Sequence, residues 1–208
     1  MYRSFVFHRR SFMYNLVRWV IFVIVMGSLV LLIRKRSFNK VIKSVLLVVV
    51  ALIFFSLWNI PFENYFLSFE TLEKSFSYYV PQQDIEVLKT CEGENSGMLI
   101  YKSGDGYANY IAYKDEKGWK IGNSNTNYIE SQKVLDRYSS FVYKVEGTED
   151  RYIWITASFV DDSAEITDSN GKRFESVKHG SHVSYYFYTN EDFDYTVVID
   201  GVVYSLKD

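Results

Sequence analysis

Residues 19–33 read WVIFVIVMGSLVLLI, fifteen residues without a charged side chain. With residues 16–18 added, the run reaches the length of helix that crosses a hydrocarbon core roughly 30 Å thick. Arg18 then lies at the edge of the run, where its long side chain extends toward the headgroups. The sequence therefore predicts a transmembrane helix over residues 16–33, preceded by a basic tail over residues 1–15.

A second uncharged run, SVLLVVVALIFFSLWNI, occupies residues 44–60. If the Lys43 ammonium reaches back to the interface, residues 43–60 form a second transmembrane helix. No small-residue cleavage site follows the first run, so we expect an uncleaved hairpin rather than a signal peptide. In such a hairpin Trp19 and Trp58 fall at the same membrane face, and we predict that they are interfacial aromatic residues.

The basic loop at residues 34–42 bears on the orientation of this hairpin. We predict as topology anchors Arg34, Lys35, Arg36, Lys40 and Lys43. The opposite face also carries five positive charges, namely Arg3, Arg9, Arg10, Arg18 and Lys74. Equal numbers do not decide the positive-inside rule, but the loop is the denser cluster, which favours placing it in the cytoplasm.

Charge is strongly segregated along the chain. Residues 1–43 contain nine Lys and Arg and no acidic residue, whereas residues 61–208 contain 14 basic and all 25 acidic residues. This distribution indicates a basic part against anionic lipid headgroups and an acidic part in solvent. The expected partner is therefore the lipid bilayer and not nucleic acid, because phosphate binding requires a positive surface.

The remainder of the chain has the pattern of a β-rich domain. Residues 61–81 form a connector, in which Thr71 is placed to cap a short helix. In the soluble domain, residues 82–208, period-two alternation and turns rich in Gly, Asp and Asn predict about ten antiparallel strands. A break near residues 123–132 divides this domain into a β-meander and a sandwich-like half. The predicted fold class is thus a two-helix transmembrane hairpin followed by a mainly antiparallel β domain with one short helix.

Two segments resemble a largely uncharacterised group of small membrane-anchored proteins of Gram-positive bacteria. Residues 69–79 read FETLEKSFSYY and residues 97–121 read GMLIYKSGDGYANYIAYKDEKGWKI. In that group a helix of the form F-x-T-x-E-x-x-F precedes strands that end in G-W-K, and RYIWITAS and YTVVIDGVVYSL are similar to its later strands. The resemblance implies an extracytoplasmic domain and supplies no catalytic residues. The group usually has one membrane helix, whereas this chain has two apolar runs.

His179 and His182 are the only close histidine pair and the only candidates for a metal site. Residues three apart in a strand point to opposite faces, so a shared metal requires a turn at Gly180, and no third ligand is evident. Two exposed loop histidines are the alternative. The acidic clusters at residues 161–162 and 190–194 match no calcium loop and are interpreted as solvated turns. Cys91 is interpreted as a small buried side chain.

We therefore expect no cofactor and no enzymatic activity, and three hypotheses of function remain. The first is a membrane-anchored extracytoplasmic interaction or sensing module, located in the cell membrane with two helices and its C-terminal domain outside. The second is an accessory or immunity-type subunit that binds another membrane or cell-surface protein, with Gly27 and Ser28 as a helix-packing signal. The third is a metal-dependent enzyme that uses His179 and His182. The 18 Tyr and 16 Phe residues suit either an aromatic binding face or core filling.

Overall fold

The computed structural model of the chain describes residues 11–35, 39–58, 60–104, 106–122, 126–158, 164–191 and 193–207. Its helices are α1 (Phe12–Lys35), α2 (Lys40–Leu57), a 3-10 helix (Phe62–Tyr65) and α3 (Leu72–Tyr79). Its strands are β1 (Ile85–Glu92), β2 (Ser96–Ser103), β3 (Gly106–Asp115), β4 (Gly118–Trp119), β5 (Asn127–Leu135), β6 (Tyr138–Val145), β7 (Arg151–Ser158), β8 (Ile166–Asp168), β9 (Glu175–His179), β10 (His182–Thr189), β11 (Thr196–Ile199) and β12 (Val202–Ser205).

Helix α1 is long and apolar enough to cross a bilayer, and it alone meets this criterion among the described residues. Only 11% of its most apolar window is buried, whereas the core helix of a soluble protein is mostly buried. Val23 and Ile24, near its middle, are 64% and 61% exposed. The predicted apolar N-terminal helix is therefore confirmed, and it extends beyond residues 16–33 at both ends.

Helix α2 runs antiparallel to α1, since the Trp19 ring meets Trp58 and the Phe22 ring meets Phe54, with centroids 5.6 and 4.4 Å apart. Asn39 caps its start by accepting a hydrogen bond from the backbone N–H of Ile42 at 2.9 Å. Its uncharged residues, 44–57, span about 21 Å at about 1.5 Å per residue, which is less than a core of roughly 30 Å. The length of α2 therefore does not support the predicted second transmembrane helix over residues 43–60.

The strands form three antiparallel sheets. The first has the order β1-β2-β3-β4, the second β5-β6-β7-β10-β9 and the third β12-β11-β8. The predicted mainly antiparallel β domain is thus confirmed, with the meander as its first sheet. The described residues contain twelve strands rather than about ten, because several strands are only two to four residues long and give no alternating pattern.

Strand β5 begins within residues 123–132, where the sequence predicted a break between the two halves of the domain. The pairing of β5 with β6 shifts register between Ile129 and Ser131. Such a bulge interrupts the alternation of inward and outward side chains, so the period-two pattern is lost although the strand continues. Residues 123–125 of the predicted break lie outside the described residues. The first sheet ends at Trp119 and the second begins at Asn127.

The three sheets and α3 are stacked in layers. One face of the first sheet packs on α3 through Leu99 and Tyr101, which meet Leu72 and Phe76. The other face packs on the second sheet through a cluster that contains Met98, Ile100, Ile111, Tyr143, Val145, Tyr152, Trp154 and Tyr186. The second sheet in turn packs on the third through a cluster that includes Val142, Ile153, Ile155, Val183, Tyr185, Val197 and Ile199. The first and second sheets, which lie between the other layers, therefore carry apolar side chains on both faces.

Helix α3 begins and packs as its sequence predicts. Thr71 accepts a hydrogen bond from the backbone N–H of Lys74 at 3.2 Å and caps the first turn. At Gly97 of β2, a Cβ would lie 2.7 Å from both the Leu72 side chain and the Trp119 ring. Only glycine therefore allows α3 to approach the sheet this closely.

We predict that Phe76→Ala destabilises the domain by about 3–5 kcal/mol, because the Phe76 ring is 0% exposed between α3 and the first sheet. The measurement is reversible denaturant unfolding of the full chain in detergent, followed by the near-UV signal of the aromatic core. Val134→Ala is the control, since Val134 is 72% exposed and a surface substitution changes stability by less than about 0.5 kcal/mol. Equal effects of the two substitutions would contradict the proposed packing.

Candidate functional site

A buried ion pair joins α1 to the segment that follows α2. Arg18 donates from Nε to Glu63 Oε1 at 2.7 Å and from Nη2 to Glu63 Oε2 at 2.9 Å. Both side chains are 0% exposed. This is the bidentate geometry that matches a guanidinium to a carboxylate. Because an unpaired buried charge is strongly unfavourable, each group makes the burial of the other tolerable.

Arg18 also contacts the backbone that follows α2. Its Nη1 and Nη2 donate to the backbone carbonyls of Trp58 and Ile60, respectively. Trp58 is the C-cap of α2, and carbonyls at a helix C-terminus lack helical partners, so the guanidinium also satisfies an acceptor at this end of the helix. The Arg18 guanidinium carbon lies 4.2 Å from the Tyr14 ring centroid and 4.9 Å from that of Phe62. Aromatic faces therefore surround the cation where water would otherwise solvate it.

The first turn of α1 docks on the last turn of α3. The backbone N–H of Ser11 donates to the Tyr79 carbonyl at 2.9 Å, and the Ser11 hydroxyl donates to the carbonyl of Tyr78. The Tyr14 ring is 1% exposed and meets the Tyr79 ring edge to face at 5.0 Å. Helix α1 is thus attached to the β domain at a second point, independent of Glu63.

The 3-10 helix is bound to the first sheet in turn. Asn64 accepts a hydrogen bond from the backbone N–H of Ile121 at 2.7 Å and donates to the Ile121 carbonyl at 3.0 Å. Lys120 Nζ donates to the backbone carbonyls of Asn64 and Leu67, both at 3.2 Å. Glu63 therefore sits on a segment that the β domain holds in place.

We call the region formed by Ser11, Tyr14, Arg18, Glu63 and Asn64 the junction. It connects α1 and the end of α2 to the β domain through side chains that are mostly buried. A carboxylate fully engaged by a guanidinium is not available as a general base. The arrangement is consequently suited to holding the domain in a fixed position relative to the helices.

The residues predicted as topology anchors lie at the other end of the hairpin. Arg34 and Lys35 end α1, and Lys40 and Lys43 lie in the first turn of α2. Arg36 lies outside the described residues, as do Arg3, Arg9 and Arg10 of the N-terminal tail. Trp19 and Trp58 contact each other at the junction end, and their placement at a membrane interface stays a prediction.

The two candidate metal ligands are brought together by a hairpin. His179 and His182 are directly opposed in the pairing of β9 with β10, and Gly180 makes the turn with φ of 63°. Their rings lie 6.0 Å apart, because the chain makes the turn at Gly180 that the sequence analysis named as the condition for bringing them together. The described residues contain no group of three or more His, Cys, Asp or Glu that could hold a metal ion.

His179 is packed rather than exposed. Tyr107 of β3 stacks on the His179 ring with centroids 3.6 Å apart, and His179 Nε2 lies 3.0 Å from the Ser184 hydroxyl. Burial, together with the nearby positive groups of His182 and Lys102, lowers the pKa of His179 below its ordinary value. The hairpin therefore contacts the first sheet through a neutral imidazole.

A buried carboxylate links the first and second sheets at another point. Asp150 is 1% exposed, and it accepts hydrogen bonds from the Tyr188 hydroxyl at 2.9 Å, the Asn95 N–H at 3.1 Å and the Ser96 hydroxyl. Burial, with the hydrogen bond to Asp150, raises the pKa of Tyr188 to about 12. A Cβ at Gly93 would lie 2.3 Å from the Tyr188 ring, so this network depends on a close approach of the two sheets.

The other sequence candidates have ordinary environments. Burial raises the pKa of the Cys91 thiol to about 11, which disfavours the reactive thiolate. In the cluster at 190–194, Glu191 pairs with Lys172 at 3.2 Å. Asp161, Asp162 and Asp192 lie outside the described residues. Tyr185 and Tyr186 are both 2% exposed and fill opposite cores, so this part of the aromatic excess is core filling.

The partner of Arg18 was not predicted from the sequence, since its side chain was expected to extend to the headgroups. The available signal was a single arginine at the edge of one apolar run and a single acid just beyond the end of the other. Charged residues at the membrane boundary commonly pair with one another. The Asp150 network left no signal, because Asp150 is 38 residues from Tyr188 and more than 50 residues from Asn95 and Ser96 in sequence.

No protein-family model matches this chain, and neither the curated proteins nor the solved structures contain a match to it.

We predict that Glu63→Gln lowers the free energy of unfolding by about 3–5 kcal/mol, because it leaves the Arg18 charge buried without its counter-ion. The measurement is equilibrium unfolding of the full chain in detergent or nanodiscs. Glu70→Gln is the matched control, since Glu70 pairs with Lys74 at an exposed position and exposed ion pairs contribute little to stability. The double variant Arg18→Met/Glu63→Leu removes both charges and should lose less than Glu63→Gln alone. Equal losses for Glu63→Gln and Glu70→Gln would show that the pair does not stabilise the junction.

We predict that stability falls between pH 7.5 and 5.5 through His179. Its folded-state pKa lies below the unfolded value of about 6.5, so the unfolded chain binds the proton first and acid favours unfolding. His179→Gln retains a nitrogen or oxygen near Ser184 but does not titrate, and should flatten this dependence. Unfolding midpoints of both chains across this pH range test the prediction, and identical slopes would refute it.

Proposed function

We propose that the chain is a membrane-anchored extracytoplasmic interaction or sensing module without catalytic activity. The observation that carries this proposal is the Arg18–Glu63 ion pair, in which both side chains are 0% exposed. A domain that is merely tethered needs only a flexible linker, whereas a junction stabilised by buried charge fixes the domain relative to its helices. Such a fixed position matters for a domain that must meet a partner at a defined distance from the membrane or report a force or contact to its helices.

The proposal includes a second membrane span. Helix α2 by itself is short, but residues 58–60 continue the uncharged run and Lys43 is able to extend its ammonium toward the interface. The antiparallel contact of α2 with α1 at Trp19 and Phe22 supports the same path across the bilayer. Both ends of this hairpin then meet at the junction, and the chain is a two-helix protein of the cell membrane.

We further propose that the β domain lies outside the cytoplasm. The junction and the basic residues Arg34, Lys35, Lys40 and Lys43 lie at opposite ends of the helices. The positive-inside rule favours the basic end in the cytoplasm. The acidic β domain and the resemblance to membrane-anchored proteins of Gram-positive bacteria support the same orientation.

An accessory or immunity-type subunit is the second candidate, and one observation favours it. A Cβ added at Gly27 would meet nothing within 4 Å, and the neighbouring surface of α1 is apolar. Small residues in membrane helices allow another helix to approach closely. Another membrane protein would then bind the helices rather than the β domain.

We expect external protease to remove the C-terminal domain from intact protoplasts, because this domain lies outside in the proposed topology. The measurement is an immunoblot for a C-terminal tag, with a cytosolic protein as the control for intact membranes. If the tag is protected until the protoplasts are lysed, the proposed orientation is wrong.

Partner capture separates the two candidate functions. The full chain is compared with a chain in which α1 and α2 are replaced by an unrelated hairpin, and a partner that is lost on replacement favours the accessory subunit.

A further inference from the structure

We infer that the segment Ile60–Phe66 is a second membrane contact, through which the β domain rests on the lipid headgroup region. This inference builds on the proposed membrane anchor and adds a surface of the domain itself. The exposed members of the segment are Ile60, Tyr65 and Phe66, and we call this surface the collar. Tyr65 is 87% exposed, Phe66 58% and Ile60 43%.

Two residues within the segment are bound to the rest of the protein, and these contacts leave the collar residues exposed. Glu63 is bound to Arg18 and Asn64 to Ile121. These contacts fix the two residues that precede Tyr65 in the 3-10 helix, while Tyr65 itself is left exposed. The backbone N–H of Phe66 donates to the Glu63 carbonyl at 3.0 Å, which orders the turn on which Phe66 lies. The exposure of these rings is therefore built into the fold.

The outward surface of the collar carries no charged side chain. Glu63 is the only charged residue between Ile60 and Phe66, and it is 0% exposed. An ordinary water-facing turn in this acidic domain would carry charged residues. Exposed aromatic residues with one polar tip, such as tyrosine, are instead typical of the interface between lipid and water.

The position of the collar along the helices agrees with this assignment. Arg18 contacts the carbonyls of Trp58 and Ile60 and the side chain of Glu63, so the collar is level with Arg18. Arg34 follows Arg18 by sixteen positions in α1, a rise of about 24 Å at about 1.5 Å per residue. If Arg34 lies at one boundary of a core roughly 30 Å thick, the level of Arg18 lies near the other boundary. The collar then faces lipid headgroups and the first acyl carbons.

The occupant is therefore the lipid bilayer and not a soluble protein. The collar is continuous with the apolar surface of α1 and α2 through Trp58, which joins the end of α2 to the Arg18 site. A partner protein would have to compete with lipid for a surface at this depth.

The test places a fluorescent probe on the collar in proteoliposomes of the full chain. Tyr65→Cys is made in a Cys91→Ser background, labelled with an environment-sensitive dye and exposed to lipids that carry a nitroxide at a shallow or a deep acyl position. We expect a blue-shifted emission and at least twofold stronger quenching by the shallow nitroxide than by the deep one. Phe66→Cys serves as a second labelling position with the same expected result.

Two matched positions separate this inference from the proposed anchor. Ile24→Cys, in the middle of α1, should be quenched more strongly by the deep nitroxide, whereas Val134→Cys, an exposed position on β5, should not be quenched. Quenching at position 24 without quenching at 65 and 66 would overturn the collar and leave the anchor intact. A blue shift at 65 that neither nitroxide quenches would indicate contact with protein and would also overturn it. No quenching at position 24 would contradict the anchor itself.

Discussion

The burial of one guanidinium is the constraint on which the arrangement of this chain depends. Arg18 lies in the second turn of α1 and is 0% exposed, so its charge requires a counter-ion and several acceptors. Glu63 and the carbonyls of Trp58 and Ile60 supply them. Meeting that requirement brings together the start of α1, the end of α2 and the connector. The pair is thus a geometric constraint more than a source of stability, since an apolar pair of similar volume often stabilises as well.

The layers of the β domain follow from a different requirement, the alternation of strand side chains between two apolar faces. In β2, Met98 and Ile100 face one core while Leu99 and Tyr101 face another. A strand of this kind is buried on both sides and needs a covering layer on each. Helix α3 covers one side of the first sheet, and the second sheet covers the other. The small third sheet then covers the outer face of the second.

Sequence patterns predicted the parts of this structure that depend on neighbouring residues. Helix α1, the Thr71 cap and the meander all follow from periodicity and local turn chemistry. Strand β5 escaped prediction because its bulge near Ser131 breaks the alternation. The Arg18–Glu63 and Asp150 contacts escaped because they join residues about 45 and 55 positions apart, where only the tertiary fold determines proximity. The turn at Gly180 was named only as a condition for bringing His179 and His182 together, and the burial of His179 under Tyr107 escaped because Tyr107 belongs to a distant strand.

The ion pair also sets an order of events during synthesis. Arg18 leaves the ribosome 45 residues before Glu63, a delay of roughly 2–9 seconds at about 5–20 residues per second. During that interval α1 enters its environment with an arginine that has not yet met its carboxylate. Closure of the junction must wait until α2 has reversed the direction of the chain and the connector has emerged on the same side as Arg18. In the proposed hairpin topology, a chain threaded with the connector on the wrong side would leave Arg18 and Glu63 as unneutralised charges at opposite boundaries of the membrane.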